Sequence, residues 1–326
     1  MLGFYMAIMS ATSAAFDLQG HRGARGLAPE NTLPGFTKAL SIGVTTLELD
    51  TVITKDGILV ISHDPSLNPD ITRTERGKWI EAPYPPIGSL VYADLVRYDV
   101  GKLRPGSNYA QRFPFQKSRA KTRIPRLVDL FNLVSELDAK TVRFNIETKI
   151  SPDAPALTPG PEDFARALIA EVRQAGVATR TTIQSFDWRT LAVVQRDAPE
   201  ISTAYLTAQQ PGMDTILATQ KGGSPWTGAF QFATEGSVPR MVRAAGGAIW
   251  SPHFGDVTRV NLQEAHALGL RVIPWTVNTR PDMERLIAWG TDGMISDYPD
   301  VLRSVARDKG LAVPPPVRAP RRPRLL

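Results

Sequence analysis

The sequence contains no cysteine among its 326 residues, so disulfide bonds, thiolate nucleophiles and zinc–thiolate sites are all excluded. It also lacks a glycine-rich loop after a strand, which the rival open, doubly wound α/β fold would use to bind a nucleotide. The apolar stretch at residues 2–15 is too short to span a bilayer. We therefore expect no stable membrane span. Basic and aromatic residues are not interleaved on one face, so we also expect no nucleic-acid partner.

The net charge is +6, an excess typical of proteins that meet nucleic acid, membrane surfaces or small anionic substrates. Part of this charge lies in residues 313–326, a basic, proline-rich tail that we predict to be disordered and outside the active fold. The remaining residues, 16–312, are enough for one barrel-sized domain.

The first 15 residues are uncharged and end in small side chains, including Ser13 and Ala15. They resemble the back half of a secretory signal peptide whose positively charged front end is missing. They can also be interpreted as an apolar segment leading into the first strand. The first interpretation predicts a periplasmic or secreted protein, and the second leaves a cytoplasmic one open.

Short apolar or β-branched runs alternate with segments of helical periodicity along most of the chain. The predicted barrel strands cover residues 16–21, 44–52, 142–148, 181–185, 201–206, 248–251, 271–276 and 293–297. The predicted helices cover residues 32–42, 127–137, 164–174, 262–268 and 283–289. This alternation favours a parallel sheet with helices outside, and eight strands predict the α/β class and a (β/α)₈ TIM barrel.

A hairpin and an insertion interrupt this alternation after the second strand. The dipeptide Asp56-Gly57 favours a two-residue turn, followed by an extended run at residues 58–63. Such a turn pairs Lys55 with Ile58 and, further along, Asp50 with His63. Residues 64–123 have little periodicity and many prolines, and we interpret them as a capping insertion.

Three carboxylates are predicted to meet at the carboxyl ends of the strands, where such barrels carry their chemistry. Glu48 and Asp50 are two residues apart and therefore point to one face, and Glu147 comes from the next barrel strand. Uncompensated, the three would repel one another, and a divalent cation would resolve this. All-oxygen ligation favours one Ca²⁺ or Mg²⁺ ion. A structural network with Arg22 and Lys149 is the alternative.

Two histidines strengthen the metal interpretation, because His21 ends the first strand and the hairpin carries His63 towards the carboxylates. Imidazoles suit proton transfer near neutral pH, and Arg22, Lys149 and the cation would hold a phosphate. Such a set fits phosphodiester cleavage, which needs a base or nucleophile, an acid and charge stabilisation. His253 is expected at the periphery of the site, and His266 is expected to be structural.

Several motifs carry a resemblance to a known family. They are HRGARGLAPENTLPGF (residues 21–36), LELDTVITKDGILVISHDPSL (47–67), FNIETK (144–149), IQSFDW (183–188), IPWTVN (273–278) and TDGMISDYP (291–299). In these motifs the sequence closely resembles the glycerophosphodiester phosphodiesterases, over about residues 18 to 304. The resemblance implies a TIM barrel that hydrolyses glycerophosphodiesters to glycerol 3-phosphate and an alcohol.

The resemblance also implies residue roles. His21 and His63 would be the catalytic pair, and Glu48, Asp50 and Glu147 would bind the metal. The implied contacts to phosphate and substrate are Arg22, Lys149 and Trp275. The insertion matches a variable region of the family and would shape the preference for the leaving group.

Other residues receive supporting roles. Gln184, Ser185 and Asn278 are expected behind the residues that touch the substrate, and Asp297 is expected to orient the rim. Asn31 or Thr32 is expected to cap the following helix. The aromatic residues Phe186, Trp188 and Trp250 are expected to be packing residues.

Three functions remain in comparison. The first is hydrolysis of small glycerophosphodiesters such as glycerophosphocholine, and the second is phospholipase D-like cleavage of lysophospholipids or sphingolipids. The third is a barrel that binds phosphodiesters without cleaving them, which the retained histidines and carboxylates disfavour. The sequence does not predict the alcohol, the ion or the oligomeric state.

Overall fold

The protein is described by a computed structural model covering residues 15–318. Its strands are β1 (Asp17–Gly20), β2 (Thr46–Ile53), β3 (Leu59–Ile61), β4 (Arg143–Thr148), β5 (Thr181–Ser185), β6 (Ser202–Thr207), β7 (Gln209–Gln210), β8 (Met213–Asp214), β9 (Ile249–Pro252), β10 (Arg271–Val272) and β11 (Gly293–Ser296). The predicted signal remnant, residues 1–15, lies almost entirely outside the described residues and stays a prediction.

Eight of these strands form a parallel barrel in the order β1-β2-β4-β5-β6-β9-β10, with β11 paired to β1. The last gap is bridged by backbone bonds, because Asp292 N–H donates to the Val272 carbonyl and Ile295 N–H donates to the Pro274 carbonyl. The TIM-barrel prediction is therefore confirmed. Strand β10 is shorter than predicted, since only two of its residues form a regular ladder.

Helices cover the outside of the barrel or lie in its loops. They are α1 (Leu33–Ile42), α2 (Tyr92–Leu95), α3 (Asn108–Arg112), α4 (Leu127–Glu136), α5 (Pro161–Gln174), α6 (Trp188–Asp197), α7 (Phe232–Glu235), α8 (Val238–Ala244), α9 (Arg259–Ala267), α10 (Arg280–Trp289) and α11 (Pro299–Asp308). The outer helices α6, α8 and α11 add to those predicted from periodicity. Within residues 15–318, none of the helices combines the length and apolar character that crossing a membrane requires.

Helix α1 shows how the local sequence sets an element. The Thr32 hydroxyl accepts from Gly35 N–H at 3.1 Å and caps the first turn, while Gly43 ends the helix with φ +92°. Phe36 and Leu40 bury the inner face against the barrel. Thr32 is thus the capping residue of the two candidates.

The hairpin of β2 and β3 has a different register from the predicted one. Three residues form its loop, because Thr54 N–H donates to the Ile58 carbonyl and Gly57 takes φ +81°. Asp50 therefore lies opposite Ser62, and its pairing with His63 was wrong by one residue. The side chain of Thr54 favours the longer loop, since its oxygen contacts both Asp56 and the Ile58 N–H.

The insertion between β3 and α4 has a small hydrophobic core of its own. In this core, Val52 and Val60 of the hairpin pack with six residues of the insertion: Leu67, Ile80, Ile87, Leu95, Val100 and Ile124. Asp99 joins its turns by accepting from Arg73 and from the backbone N–H groups of Gly101 and Thr122. The segment is therefore held in place over the barrel mouth.

Two further segments differ from the sequence-based expectations. Residues 208–237 form a second loop region over the mouth, including the β7–β8 hairpin. At the other end, Val317 N–H donates to the Leu40 carbonyl, and Val313 packs on the core. The prediction of disorder was therefore wrong for residues 313–318, which cover α1, and the rest of the tail lies outside the described residues.

Candidate active site

A cavity of about 620 Å³ opens at the carboxyl ends of the barrel strands. The 62–126 insertion, the loop after β4 and the 208–237 region surround its entrance. Its walls include most of the predicted site residues, namely His21, Arg22, Glu48, His63, Glu147, Lys149, Gln184 and Trp275.

The three predicted carboxylates come together at the floor of this cavity. Glu48, Asp50 and Glu147 each offer an oxygen, and these oxygens lie within 4.8 Å of one another. Asp50 and Glu147 are neighbours across the β2–β4 ladder, and the two-residue spacing brings Glu48 to the same inner face. Register and pleat together therefore produce the cluster.

The pKa values of the three carboxylates shift in different directions. Burial and then the adjacent Asp50 raise the pKa of Glu48 well above its usual range. Burial likewise raises the pKa of Glu147 to about 7, although Lys149 Nζ lies 2.7 Å from its oxygen. Burial opposes ionisation of Asp50, but Arg22 and the other nearby cations hold the pKa of Asp50 far below its usual value.

The charges around the cluster leave an excess of negative charge. Five carboxylates meet three cations there: Glu30, Glu48, Asp50, Glu147 and Asp297 against Arg22, Arg25 and Lys149. When all are ionised, the excess is two negative charges, which one divalent cation would neutralise. Among residues 15–318, Asp50 Oδ1 is a buried oxygen without a hydrogen-bond partner. The donor set, all carboxylate oxygen, therefore fits a hard divalent ion.

His21 is held by a buried carboxylate. Its Nδ1 lies 2.7 Å from Asp297 Oδ1, and Asp297 is fixed by Arg25 at 2.7 and 3.0 Å and by Asn278 at 2.7 Å. Because a carboxylate only accepts, Nδ1 carries the proton and Nε2 faces the cluster, 3.9 Å from Glu48. Burial and Arg25 lower the pKa of His21 to about 4, so the ring is neutral near pH 7.

His63, which lines the same cavity, also has a carboxylate partner. Its Nδ1 lies 2.8 Å from Asp64, which also accepts from Asn68 at 2.7 Å. Burial, Arg22 and Lys149 lower the pKa of His63 to about 4. With 33% of its side chain exposed against 11% for His21, His63 is the more open of the two. Asp297 was predicted to orient the rim, whereas no role was predicted for Asp64.

A chain of side-chain amides runs below the cluster along the barrel interior. Gln184 donates to Glu48 at 2.8 Å and accepts from Asn145, which also donates to Gln19. Gln19 in turn donates to the carboxylate of Asp17 at 2.9 Å. A carboxylate at each end fixes the direction of the amides, so that donors face Glu48. Gln184 thus bonds to one of the metal-binding candidates.

Three residues of the first loop and the insertion join the site without having been predicted there. Asn31, at φ +52°, donates to Asp50 Oδ2 at 2.8 Å and is therefore more than a helix cap. Glu30 accepts from Arg22 at 2.8 Å. Tyr109 of α3 contacts Glu30, Arg22 and Arg25 through its hydroxyl. The motif PENT marks Glu30 and Asn31, but nothing in the sequence pairs Tyr109 with them.

The opposite wall of the cavity is apolar. Trp275 rests on the barrel-interior side chains of Ile249, Ile273 and Ile295, and its ring meets Phe186 edge to face at 5.3 Å. Phe186 lines the cavity, so its role is not packing alone, whereas Trp188 and Trp250 are buried as expected.

The remaining candidates lie further from the cluster. Ser185 points away from the barrel interior, where its hydroxyl accepts from Thr148, and its expected supporting role stays a prediction. His253 packs edge-on against Trp275 at 5.4 Å, at the periphery. His266 in α9 contacts Asp292 at 3.0 Å on the outer surface, as a structural residue would.

Comparisons with known proteins bear on this arrangement. The chain matches the sequence model of the Glycerophosphoryl diester phosphodiesterase family over residues 21–301. A glycerophosphodiester phosphodiesterase of Caldanaerobacter subterraneus subsp. tengcongensis is 28% identical over 290 residues, covering 89% of this chain and 97% of the relative. One from Bacillus subtilis is 28% identical over 294 residues, covering 88% and 85%.

Solved structures give the same result. The crystal structure of a candidate glycerophosphoryl diester phosphodiesterase from Silicibacter pomeroyi has a TM-score of 0.80 and 35% identity, covering 91% of this chain and 95% of that one. An Oleispira antarctica phosphodiesterase in complex with the product sn-glycerol-3-phosphate has a TM-score of 0.65 and 22% identity, covering 90% and 97%. At that identity, the second match shows the fold alone.

The fold and the cavity define a TIM-barrel enzyme with an acidic cluster at its mouth. The chain belongs to the glycerophosphoryl diester phosphodiesterase family. The predictions of the family and of the enzyme class from sequence motifs are thus confirmed.

Proposed function

We propose that the protein hydrolyses glycerophosphodiesters to sn-glycerol 3-phosphate and an alcohol, using His21, His63 and one divalent cation. The observation that carries the proposal is the meeting of two carboxylate-bound imidazoles with the three buried carboxylates in one cavity. The names of the curated relatives and the product bound to the Oleispira protein support the same reaction.

Glu48, Asp50 and Glu147 would hold the cation, Ca²⁺ or Mg²⁺. Such an ion supplies positive charge to the phosphoryl oxygens as negative charge develops there. Arg22 and Lys149 flank the cluster and add fixed donors for the same oxygens, since their side chains lie next to Asp50 at 3.3 and 3.7 Å. The site would thus bind the phosphodiester through its charge.

The two histidines divide the proton transfer. We assign His21 as the base, because Asp297 fixes its Nδ1–H and leaves the Nε2 lone pair facing the cluster. We assign His63 as the acid that protonates the leaving alcohol, because it is the more exposed and borders the insertion. His63 is neutral in the free protein, and the negative charge of the bound phosphate would favour its protonation.

The apolar wall would take the carbon atoms of the substrate. Trp275, Phe186 and Leu206 are apolar side chains that line the cavity. A substrate with its phosphate on the charged wall therefore places its glycerol or alcohol carbons against these side chains.

The direct test is release of sn-glycerol 3-phosphate from glycerophosphocholine by the purified protein. We expect release to stop with EDTA and to return with Ca²⁺ or Mg²⁺, and to be absent in Asp50→Asn under all conditions. No release with either ion would refute this substrate class for the protein.

Cleavage of lysophospholipids is a second candidate function. It is favoured by the exposure of apolar side chains at the rim, where Phe115 is 67% and Met213 is 41% exposed. The two functions differ in products: lysophosphatidylcholine would release choline and leave the phosphate on the lipid. Choline release without sn-glycerol 3-phosphate release would select the second function.

A further inference from the structure

One internal segment of the chain has a large local excess of positive charge. Residues 100–126, which we term the basic segment, contain eight lysines and arginines and no aspartate or glutamate. They are Lys102, Arg104, Arg112, Lys117, Arg119, Lys121, Arg123 and Arg126. Within residues 15–318, only Arg126 of these forms a salt bridge, to Asp129. Without this segment the whole chain would have lost its positive net charge.

The basic segment is fixed beside the mouth of the cavity. Lys117 N–H donates to the Leu27 carbonyl at 2.9 Å, and the Gln116 amide donates to the Arg25 carbonyl at 2.8 Å. The Arg25 guanidinium lies 4.6 Å from the centre of the Phe113 ring. Arg25 and Leu27 lie in the loop after β1, which also carries His21, so the segment and the proposed site share one rim.

Exposed apolar side chains lie on the same rim. Phe115, 67% exposed, stands between Phe113 and Gln116, and Met213, 41% exposed, lines the cavity from the β7–β8 hairpin. Tyr84, at 40%, belongs to the same insertion. Among the described residues, two of the four exposed large hydrophobic side chains, Phe115 and Met213, therefore belong to segments beside the mouth.

We propose that this rim docks on an anionic phospholipid bilayer, with the basic segment on the lipid headgroups and Phe115 inserted among them. Cations around isolated apolar side chains are the pattern of proteins that lie on a membrane surface. The charges complement anionic lipid, and the apolar groups would gain by burial at the headgroup–acyl boundary. The docked orientation turns the cavity mouth towards the membrane. The inference extends the proposed function by stating where the enzyme meets its substrate.

Vesicle cosedimentation of the full chain tests the proposal. The probes are vesicles of phosphatidylcholine alone and of phosphatidylcholine with one-third phosphatidylglycerol. We expect binding only to the second kind, weakening as salt is added. The variant Lys117→Gln/Arg119→Gln/Lys121→Gln removes three exposed charges that touch no carboxylate among the described residues. It should bind roughly 100-fold more weakly, at about fivefold per charge.

Two matched controls separate docking from general charge or hydrophobicity. Lys38→Gln/Arg243→Gln/Lys309→Gln removes the same charge from exposed positions on or next to the outer helices α1, α8 and α11, and should bind almost as well as wild type. Phe115→Ser should weaken binding, and Val260→Ser, at a 77% exposed position on α9, should not. All variants should keep wild-type turnover of soluble glycerophosphocholine, since none of these residues lines the cavity.

Three results would overturn the proposal. They are equal vesicle binding by the two triple variants, displacement of the vesicles by duplex DNA at lower concentration than by soluble phosphatidylglycerol micelles, and a rise in KM for glycerophosphocholine without a change in vesicle binding. Vesicle binding by a protein that releases no sn-glycerol 3-phosphate would support docking and refute the substrate proposal, so the two can fail separately.

Discussion

The two halves of the barrel interior differ in chemistry. Strands β1, β2, β4 and β5 point Gln19, Glu48, Asn145 and Gln184 inwards, and these side chains bond to one another. Strands β6, β9, β10 and β11, with the residues that extend β10, instead supply Ala204, Ile249, Ile273 and Ile295, capped by Trp275. We term these the polar wall and the apolar wall.

The difference separates stability from chemistry. The apolar wall stabilises the barrel by burial, which needs no partner of a particular charge. On the polar wall, burial raises the pKa values of Glu48 and Glu147. Asp50 Oδ1 has no hydrogen-bond donor among the described residues. Such a cluster costs stability, and a bound cation would offset that cost. Variants of the two walls should therefore change different measurements.

The largest effect is expected from His21 and His63, which lie beside the polar wall. His63→Ala should lower kcat by about 10²–10⁴-fold with Tm nearly unchanged, because a side chain one-third exposed adds little to the core. If His63 is the acid, a 4-nitrophenyl ester of glycerol phosphate should restore much of its turnover, since that leaving group needs no proton. His21→Ala should stay inactive on both substrates, and equal rescue of both would refute the assignment of base and acid.

Glu147→Gln should reduce cation affinity without abolishing binding. One of three anionic oxygens becomes neutral, so more metal is needed, and we expect a loss larger than the roughly 10–100-fold typical of residues behind the metal ligands. The measurement is activity against metal concentration. Asp153→Asn, at another acidic position lining the cavity, is the control, and the same midpoint in both variants would remove Glu147 from the metal site.

Asn145→Leu and Ile273→Ala compare the walls directly. The first leaves the oxygens of Gln19 and Gln184 without a donor and should cost about 1–3 kcal/mol of unfolding free energy. The second creates a cavity and should cost about 2–5 kcal/mol. Only Asn145→Leu should also weaken metal binding, by roughly 10-fold, because Gln184 then loses its orientation towards Glu48. Urea denaturation and metal titration of both variants check this, and weaker metal binding by Ile273→Ala would break the comparison.

On the apolar wall, Trp275→Ala should raise KM for glycerophosphocholine roughly 10-fold by removing contact area. Its midpoint in a metal titration should equal that of wild type, because its ring nitrogen bonds to the Ser251 carbonyl and not to the cluster. Steady-state kinetics at saturating metal separate the two effects. A changed metal midpoint would show that the walls are not independent.

The last comparison concerns pH. Burial holds the pKa values of His21 and His63 near 4, below the 6.5 of the free side chain. Between these values the unfolded chain binds more protons, so this contribution to stability is full above pH 6.5 and is lost as pH falls through about 4. The raised pKa values of Glu48 and Glu147 act in the opposite direction, so the histidine contribution is the difference between metal-free wild type and His21→Asn. As pH falls over this range, the urea midpoint of wild type should fall relative to that of His21→Asn, whereas Ile273→Val should keep the pH dependence of wild type. Identical pH dependence of all three proteins would contradict the pKa values.

The barrel and the polar wall could be predicted from the sequence because both depend on short-range patterns. Strand–helix alternation gives the barrel, and the spacing of Glu48 and Asp50 gives their common face. Contacts between segments that are distant in the chain could not be predicted in this way. Tyr109 reaches Glu30 across 79 positions in the chain, and no periodicity encodes that contact. The predicted hairpin register was wrong because Thr54 stabilises a three-residue loop that Asp56-Gly57 alone does not specify.

Gln184 and Ser185 were predicted together, but the strand directs their side chains to opposite sides. Gln184 faces the barrel interior, and alternate residues of a strand face opposite sides, so only one of the pair can face the barrel interior. The pattern contained this information, whereas the packing of residues 313–318 on α1 depends on contacts that their composition obscures.

The central claim is that the polar wall binds one divalent cation through Glu48, Asp50 and Glu147. Calorimetric titration of Ca²⁺ and of Mg²⁺ into the metal-free protein, beside Asp50→Asn, tests it most directly. We predict saturable binding of one ion per wild-type chain and none by the variant. The absence of saturable binding of either ion, or the same binding by Asp50→Asn, would contradict the claim.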